Sequence, residues 1–544
     1  MKVFTVAEMV AAEKAADAAG VSYDQMMETA GRRVAEAIGQ RQAVAGKSVL
    51  ILVGPGNNGG DGLVAGRYLA QAGADVAFYL FKERSAAVDA NLKQVQEMGL
   101  LVLQADFDQQ WRVLRHRLRV TEILVDALLG TGVTRPIEGQ LARLLQQVQA
   151  GLSERRATSA GQPELLTITP FAPVPPASGS LPMVVAVDCP SGLNCDSGEL
   201  DRLALTADLT VTFAGPKWGH FLFPGAAACG ELVAAEIGIA ATLPEVQAVP
   251  VEVATLPAMR SLLPPRPADG HKGSFGSAYI AAGSDHYRGA ALLAGRAAYR
   301  VGAGLVAVVT PAAVRAVAAS QLPEATYPPV PEERLLGAEA AQLIGRQLDK
   351  AAALLVGPGL DQADQFCLTL LAELAGRGDS CPPLVVDADG LNILARQPDW
   401  PARLPPETIL TPHPGEMARL MAVSLAELKA ANRISLAREQ AQAWGHIVLL
   451  KGAYTVVAAP DGRTTILPFA NPALGAAGSG DVLAGAIAGL LAQGMACFEA
   501  AVVGGYLHGL AGSLARRDAG LLAGELADLL VAARQAVVDP IAGH

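Results

Sequence analysis

Short apolar runs alternate along this chain with Gly-rich turns and with Ala/Leu-rich segments of helical spacing, the grammar of parallel α/β folds. In the first half "KSVLILVGPG" (47–56), "ADVAFYLF" (74–81), "EILVDALLG" (122–130), "MVVAVDCPSG" (183–192) and "DLTVTFAG" (208–215) predict strands. In the second half "SAYIAAGS" (277–284), "LVAVVTP" (305–311), "ALLVGPGL" (353–360), "PLVVDADG" (383–390), "TILTPHPGE" (408–416) and "HIVLLKGA" (446–453) do the same. Ligands of such sheets gather beyond the carboxyl ends of strands. The polar and Gly residues closing these runs are therefore where chemistry is expected.

The two blocks meet near residue 250. The pattern predicts one domain over 1–240, a Pro-rich linker over 241–270 and a second domain over 271–540. Within the first, residues 153–182 hold six prolines and no period of 2 or 3.6, so an irregular surface insertion is expected there.

Bulk properties narrow the class. At 544 residues the chain is too long for one core, and 57 glycines with 35 prolines suit many strand-to-helix turns. A formal charge of −10 argues against a phosphate-backbone binder. Glu8, Glu13 and Asp17 interrupt the start where a signal peptide would be apolar, and no uncharged run reaches the ~18 residues of a membrane span. A cytoplasmic protein without nucleic-acid or membrane partners is expected. The cysteines at 189, 195, 229, 367, 381 and 497 form no CxxC pair and are expected as free thiols.

Candidate chemistry in the first block starts at "GPGNNGGDG". Gly54, Gly56 and Gly59 match the dinucleotide fingerprint, read as a loop that precedes a helix at 63–73 and offers N–H groups to an anion. The fingerprint is incomplete, because the next strand ends in Phe81 and Lys82 instead of an acid for the ribose hydroxyls. Asp126 ends one strand before the Gly-Thr-Gly of "DALLGTGVTRP", and Asp188 and Ser191 close another in "VDCPSG". Oxygen donors from Asn58, Asp126 and Ser191 would suit a hard cation.

In the second block "NPALGAAGSGDVLAGAIAGLLAQG" carries the strongest signal. Gly478, Ser479 and Gly480 lead into an Ala/Leu helix, presenting bare N–H groups and a helix dipole to a phosphate. Asp481 sits in the first turn, suited to accept a proton from an attacking hydroxyl. "TPHPGE" adds His413 and Glu416. The triplet Gly46-Lys47-Ser48 has the tail of a P-loop but precedes a strand and lacks the first Gly, so a surface turn is expected. His116, His286, His446 and His508 have no metal-ligand spacing.

"GPGNNGGDG", "VDALLGTGVTRP", "VDCPSGLNCDSGEL" and "TADLTVTFAGPKWGH", in this order, resemble the NAD(P)H-hydrate epimerase family over about residues 1–240. That resemblance implies a Rossmann-like three-layer epimerase domain. Asn57, Asn58, Gly59, Gly60 and Asp61, with Gly130, Thr131, Gly132, Val133, Thr134, Arg135 and Pro136, would hold the hydrated dinucleotide. K+ would sit on Asn58, Asp126 and Ser191, and Asp188 would be catalytic.

"HKGSFGSAYIAAGS", "VGPGL", "VVDADGLNIL", "TPHPGEMARL", "LLKGAYT" and the GSGD turn resemble the NAD(P)H-hydrate dehydratase branch of the ribokinase-like fold, over about residues 255–540. The resemblance implies that Lys451, Gly452, Ala453, Tyr454, Thr455, Gly478, Ser479 and Gly480 contact the nucleotide. Ala290, Gly359, His413 and the catalytic Asp481 would contact the hydrate. It further implies ADP as co-substrate, Mg2+ on its phosphates, NADHX and NADPHX as small-molecule partners, and a homo-oligomer. Two alternatives share these features: a vitamin or sugar kinase on the ribokinase-like fold, and a non-catalytic binding scaffold in the first block.

Overall fold

Strands in the first half read as apolar runs because both faces of a parallel sheet are covered by helices. In the computed structural model, which describes residues 1–159, 181–377 and 380–539, the chain divides into Lys2–Val249 and, together with Met1, Pro250–His544. The first unit carries strands β1 (Ser48–Val53), β2 (Asp75–Leu80), β3 (Leu101–Gln104), β4 (Ile123–Ala127), β5 (Met183–Val187), β6 (Leu209–Phe213) and β7 (Glu231–Ala235). All pairings are parallel, in the order β3-β2-β1-β4-β5-β6-β7. The order reverses between β1 and β4, and the crevice outside their carboxyl ends is the switch point of a doubly wound sheet.

The Gly-rich "loop" expected after β1 is not a loop. Helix Asn57–Gln71 begins within it, with Gly56 as N-cap, so Asn58 and Asp61 lie in its first two turns. Its glycines serve packing: a Cβ on Gly62 would lie 2.5 Å from Ala127 Cβ, and one on Gly54 only 1.8 Å from the Leu128 carbonyl oxygen. The latter obstacle is backbone and cannot swing away. Gly54→Ala is therefore expected to lower stability by about 2–3 kcal/mol, read as an earlier midpoint in denaturant; an unmoved midpoint would contradict this packing.

The second unit holds β8 (Val251–Val253), β9 (Ser277–Ala281), β10 (Leu305–Val309), β11 (Ala353–Val356), β12 (Leu384–Val386), β13 (Ile409–Leu410), β14 (Ile447–Leu450), β15 (Val456–Ala458) and β16 (Thr464–Ile466). They form one sheet, β10-β9-β11-β12-β13-β14-β15-β16-β8, parallel except for the antiparallel pairings of β15 with β14 and β16. Helix Ser479–Ala492 is buried without interruption from Val482 to Ala492. It lies against helix Arg288–Arg300, where Cβ atoms on Gly485 and Gly489 would fall 2.2 and 2.6 Å from the Ala294 and Ala298 carbonyl oxygens. That close crossing explains the Gly/Ala composition of the motif. No helix among the described residues is long and apolar enough to cross a membrane.

Several sequence expectations need correction. The 241–270 linker holds helices Pro244–Gln247 and Leu256–Leu262 and the strand β8, which pairs with β16 because Val251 and Val253 offer a buried face at a sheet edge. Residues 153–159 continue helix Gly139–Ser159, and 160–180 lie outside the described residues. Strands β3, β7, β15 and β16 were not anticipated. They are short, and β3 and β7 are only partly buried, which weakens the apolar signal.

Candidate active sites

In the first unit the ends of β4 and β5 meet through one buried carboxylate. Asp126 Oδ1 accepts from the Ser191 hydroxyl (2.6 Å) and the Leu128 N–H (3.2 Å), and Oδ2 from the Ser191 N–H (2.9 Å). Asn58 Nδ2 donates to the Leu129 carbonyl (2.8 Å), and the Leu129 N–H donates to Ser191 Oγ (2.9 Å). Thus Asp126 and Ser191 meet directly, and Asn58 and Ser191 meet on the main chain of Leu129. Burial raises the Asp126 pKa against the hydrogen bonds from Ser191 and Leu128. No basic side chain among the described residues pairs with this carboxylate, and a cation on these oxygens would neutralise it.

A second group lies beyond β5 and β6. Asp188 has φ +63°, a conformation tolerated by Asp but rare outside turns and functional sites. Its Oδ1 accepts from Lys217 Nζ (2.6 Å), Thr212 Oγ1 (2.9 Å) and the Phe213 N–H (3.3 Å). Burial alone would raise the Asp188 pKa, but Lys217 overcomes it and holds the group below its usual range. Lys217 is itself buried, donating also to Thr212 Oγ1 (2.8 Å) and the Phe213 carbonyl (3.2 Å). Burial together with Lys217 lowers His220 to about 3. Beyond β2, Arg84 donates to the carbonyls of Gly54 (2.7 Å) and Gly56 (3.0 Å) and pairs with Asp89. Gly130 faces Asn58, and Thr131–Pro136 continue as loop after β4.

The second unit builds its site at the ends of β12, β13 and β14 and at the start of helix Ser479–Ala492. Gly478 caps that helix with φ +86°, where a Cβ would also meet Leu293. Burial and the nearby Asp387 and Asp389 charges push Asp481 up to about 7 despite Lys451. Lys451 Nζ donates to Asp387 Oδ1 (2.7 Å), which also accepts from Thr411 Oγ1 (2.7 Å), and lies 3.6 Å from Glu416. A Cβ on Gly480 would sit 3.5 Å from Lys451 Nζ, so the GSGD turn and the "LLKGAYT" strand end share one site. Arg433 holds that strand end by donating to the carbonyls of Leu450, Lys451 and Ala453. Thr455 Oγ1 closes it on the Gly452 carbonyl (2.8 Å).

His413 caps helix Pro414–Leu420, its Nδ1 accepting from the Gly415 N–H (2.9 Å), with Glu416 closing the box on the His413 N–H (2.8 Å). Burial lowers the His413 pKa, with Glu416 opposing. Gly359 (φ +62°) approaches Ala290 and Tyr287, putting two sequence candidates side by side. Beside them Tyr287, Asp361, Asp389, Asn392, Arg396 and Arg419 line a cleft of about 460 Å³.

Sequence reasoning assigns no role to Lys217, Asp387, Asp389 or Arg433. The first three carry a signal, since charged residues within four positions of a buried strand's end stand out in "FAGPKWGH" and "VVDADG". Ala388, with φ +50°, kinks the latter so that two acids separated by one residue both act on Asp481.

These two units define a Rossmann-like α/β domain fused to a ribokinase-like one. A family model described as NAD(P)H-hydrate dehydratase matches residues 278–535, and one described as YjeF-related protein N-terminus matches 23–219. The bifunctional NAD(P)H-hydrate repair enzyme Nnr of Thermofilum pendens is 37% identical over 532 residues, covering 96% of this chain and 93% of the relative. That of Moorella thermoacetica is 38% identical over 517 residues, covering 93% and 91%. The chain belongs to the family of bifunctional NAD(P)H-hydrate repair enzymes, an epimerase unit fused to a dehydratase unit. The ADP/ATP-dependent NAD(P)H-hydrate dehydratase of Bacillus subtilis, co-crystallised with ATP/Mg2+, is 35% identical with TM-score 0.47, covering 53% of this chain and 100% of that one.

Proposed function

We propose that the first unit interconverts the R and S forms of NADHX and NADPHX, and that the second dehydrates the S form while ADP becomes AMP and phosphate. Asp481 carries the reading: a carboxyl pushed up to about 7, in the first turn of a buried helix beside Gly478–Gly480. The C6 hydroxyl of the hydrate is a poor leaving group next to N1. Asp481 takes its proton as the oxygen attacks the terminal phosphoryl group, and the helix N-terminus stabilises charge on the transferring oxygens. The N1 lone pair then expels phosphate to leave an N1=C6 iminium, and loss of a C5 proton to the departing phosphate restores the 5,6 double bond and returns the pair to N1.

Ala290, Gly359 and His413 would hold the hydrate, and Lys451 to Thr455 the nucleotide, with Lys451 fixing Asp387. Mg2+, when bound with the nucleotide, neutralises phosphate charge. Asp389, which has no ion-pair partner among the described residues, offers it hard oxygen donors. In the first unit Asn57–Asp61 and Gly130–Pro136 would line the dinucleotide site, and Asp188 would move the hydroxyl proton. K+ on Asn58, Asp126 and Ser191 would offset the buried Asp126 charge.

Full-length protein given mixed hydrate epimers and ADP should convert both to reduced nicotinamide with one phosphate per turnover. Replacing K+ by Li+ should slow epimer interconversion roughly tenfold or more without touching dehydration of the S form, since each good oxygen ligand lost to a smaller ion weakens the site. No recovery with either ADP or ATP, or phosphate transfer to a vitamin or sugar instead, would overturn the reading.

A further inference from the structure

Ring opening of a hemiaminal needs two proton carriers, one for the hydroxyl and one for the nitrogen, and Asp188 supplies only the first. Lys217 spends its three N–H donors on Asp188, Thr212 and the Phe213 carbonyl. His220 receives the Lys217 N–H on Nδ1, and Lys217 and burial keep it neutral at ordinary pH. Glu13, on helix Val6–Ala18, is only half-buried. Asp61 is 9% exposed and stands on helix Asn57–Gln71 at the end of β1. Its carboxyl accepts no hydrogen bond and forms no ion pair among the described residues, while it feels the charges of Asp188, Glu13 and Lys217.

We propose that Asp61 is the general acid of epimerisation, donating its proton to the ring nitrogen as Asp188 accepts the hydroxyl proton. The inference rests on the epimerase reading of the first unit. As the O–H proton passes to the Asp188 carboxylate, the O–H pair becomes the C6=O bond. The C6–N1 pair moves to N1, which takes the Asp61 proton. Rotation about C5–C6 turns the other carbonyl face to the nitrogen. Closure then reverses each transfer: N1 returns its proton to Asp61 and attacks C6, while the oxygen recovers the proton from Asp188. Nothing is oxidised, and both carboxyls end as they began.

Proton inventory agrees with these roles. Burial raises the Asp61 pKa well above the ordinary carboxyl value, with Asp188 and Glu13 adding and Lys217 opposing, which favours its protonated form, while Lys217 lowers Asp188 and favours its ionised form. Two carboxyls driven apart in this way mark an acid and a base.

The test follows interconversion of mixed NADHX epimers by proton NMR in the full chain without nucleotide. Asp61→Asn is expected to slow it by about 10²- to 10⁴-fold. Asn resembles the neutral acid and cannot ionise, so the melting temperature should hold at low pH and rise above that of the wild type at pH 8. Asp61→Glu should recover part of the rate, and Glu13→Gln should stay within about tenfold of wild type. The wild-type rate should also decline as pH rises through the Asp61 titration, and that limb decides the matter if Asp61→Asn fails to fold. Interconversion by a folded Asp61→Asn within threefold of wild type, or a pH profile without that limb, overturns the assignment. Absence of interconversion in the wild type overturns the epimerase reading itself, a distinct result.

Discussion

Asp481→Asn is expected to lower ADP-dependent recovery of reduced nicotinamide by about 10²- to 10⁴-fold while epimer interconversion continues at its normal rate. The side chain keeps its shape and loses only its ability to take a proton, so the loss isolates the base. In the wild type, dehydration should rise roughly tenfold per pH unit below about 7 and level above it, because the carboxyl acts only when ionised. A flat profile between pH 5.5 and 8.5 would remove Asp481 from this role.

The same shift has a stability consequence of opposite sense. A carboxyl whose folded pKa is about 7, against an ordinary value of 3.8, keeps its proton in the fold after the unfolded chain has lost it. Asp481 therefore withdraws stability as pH rises from about 4 to about 7. Asp481→Asn cannot ionise and should gain on the order of 1–3 kcal/mol at pH 8, seen as a higher melting temperature. An inactive variant more stable than its parent would be hard to explain by misfolding.

Asp188→Asn is expected to remove epimerisation by about 10²- to 10⁴-fold and leave dehydration of the S form intact. Conversion of a mixed-epimer sample should then stop when the S form is exhausted. The substitution also strands Lys217, whose ammonium is fully buried and held at 2.6 Å by Asp188. Removing one partner of a buried pair costs about 3–5 kcal/mol. Adding Lys217→Met should restore most of that stability without restoring activity, which separates the two effects. If Asp188→Asn interconverts the epimers normally, the proton acceptor lies elsewhere.

A fusion of these two sites has a chemical logic. A dehydratase selective for one configuration at C6 leaves the other stranded, and an epimerase in the same chain removes that dead end. The Asp188 and Asp481 variants test it directly, because each should disable one half of the sequence alone.

By itself the sequence determined eleven of the strands, those whose apolar runs are largely buried and end in polar or Gly residues or in a turn, and the turn motifs carrying Asn58, Asp126, Asp188, Ser191 and Asp481. Those features are local, since apolar runs and capping chemistry act within a few residues. Only the tertiary structure decided which groups share a site. It started a helix at Asn57 where a loop was expected, joined β8 to the edge of the second sheet, and brought Lys217 to Asp188 and Lys451 to Asp387. Protonation states followed from those meetings: Asp61 and Asp188 are the same residue type, and burial without a partner separates one from the other. A pKa reports the field of neighbours distant in sequence, and that field exists only once the chain has folded.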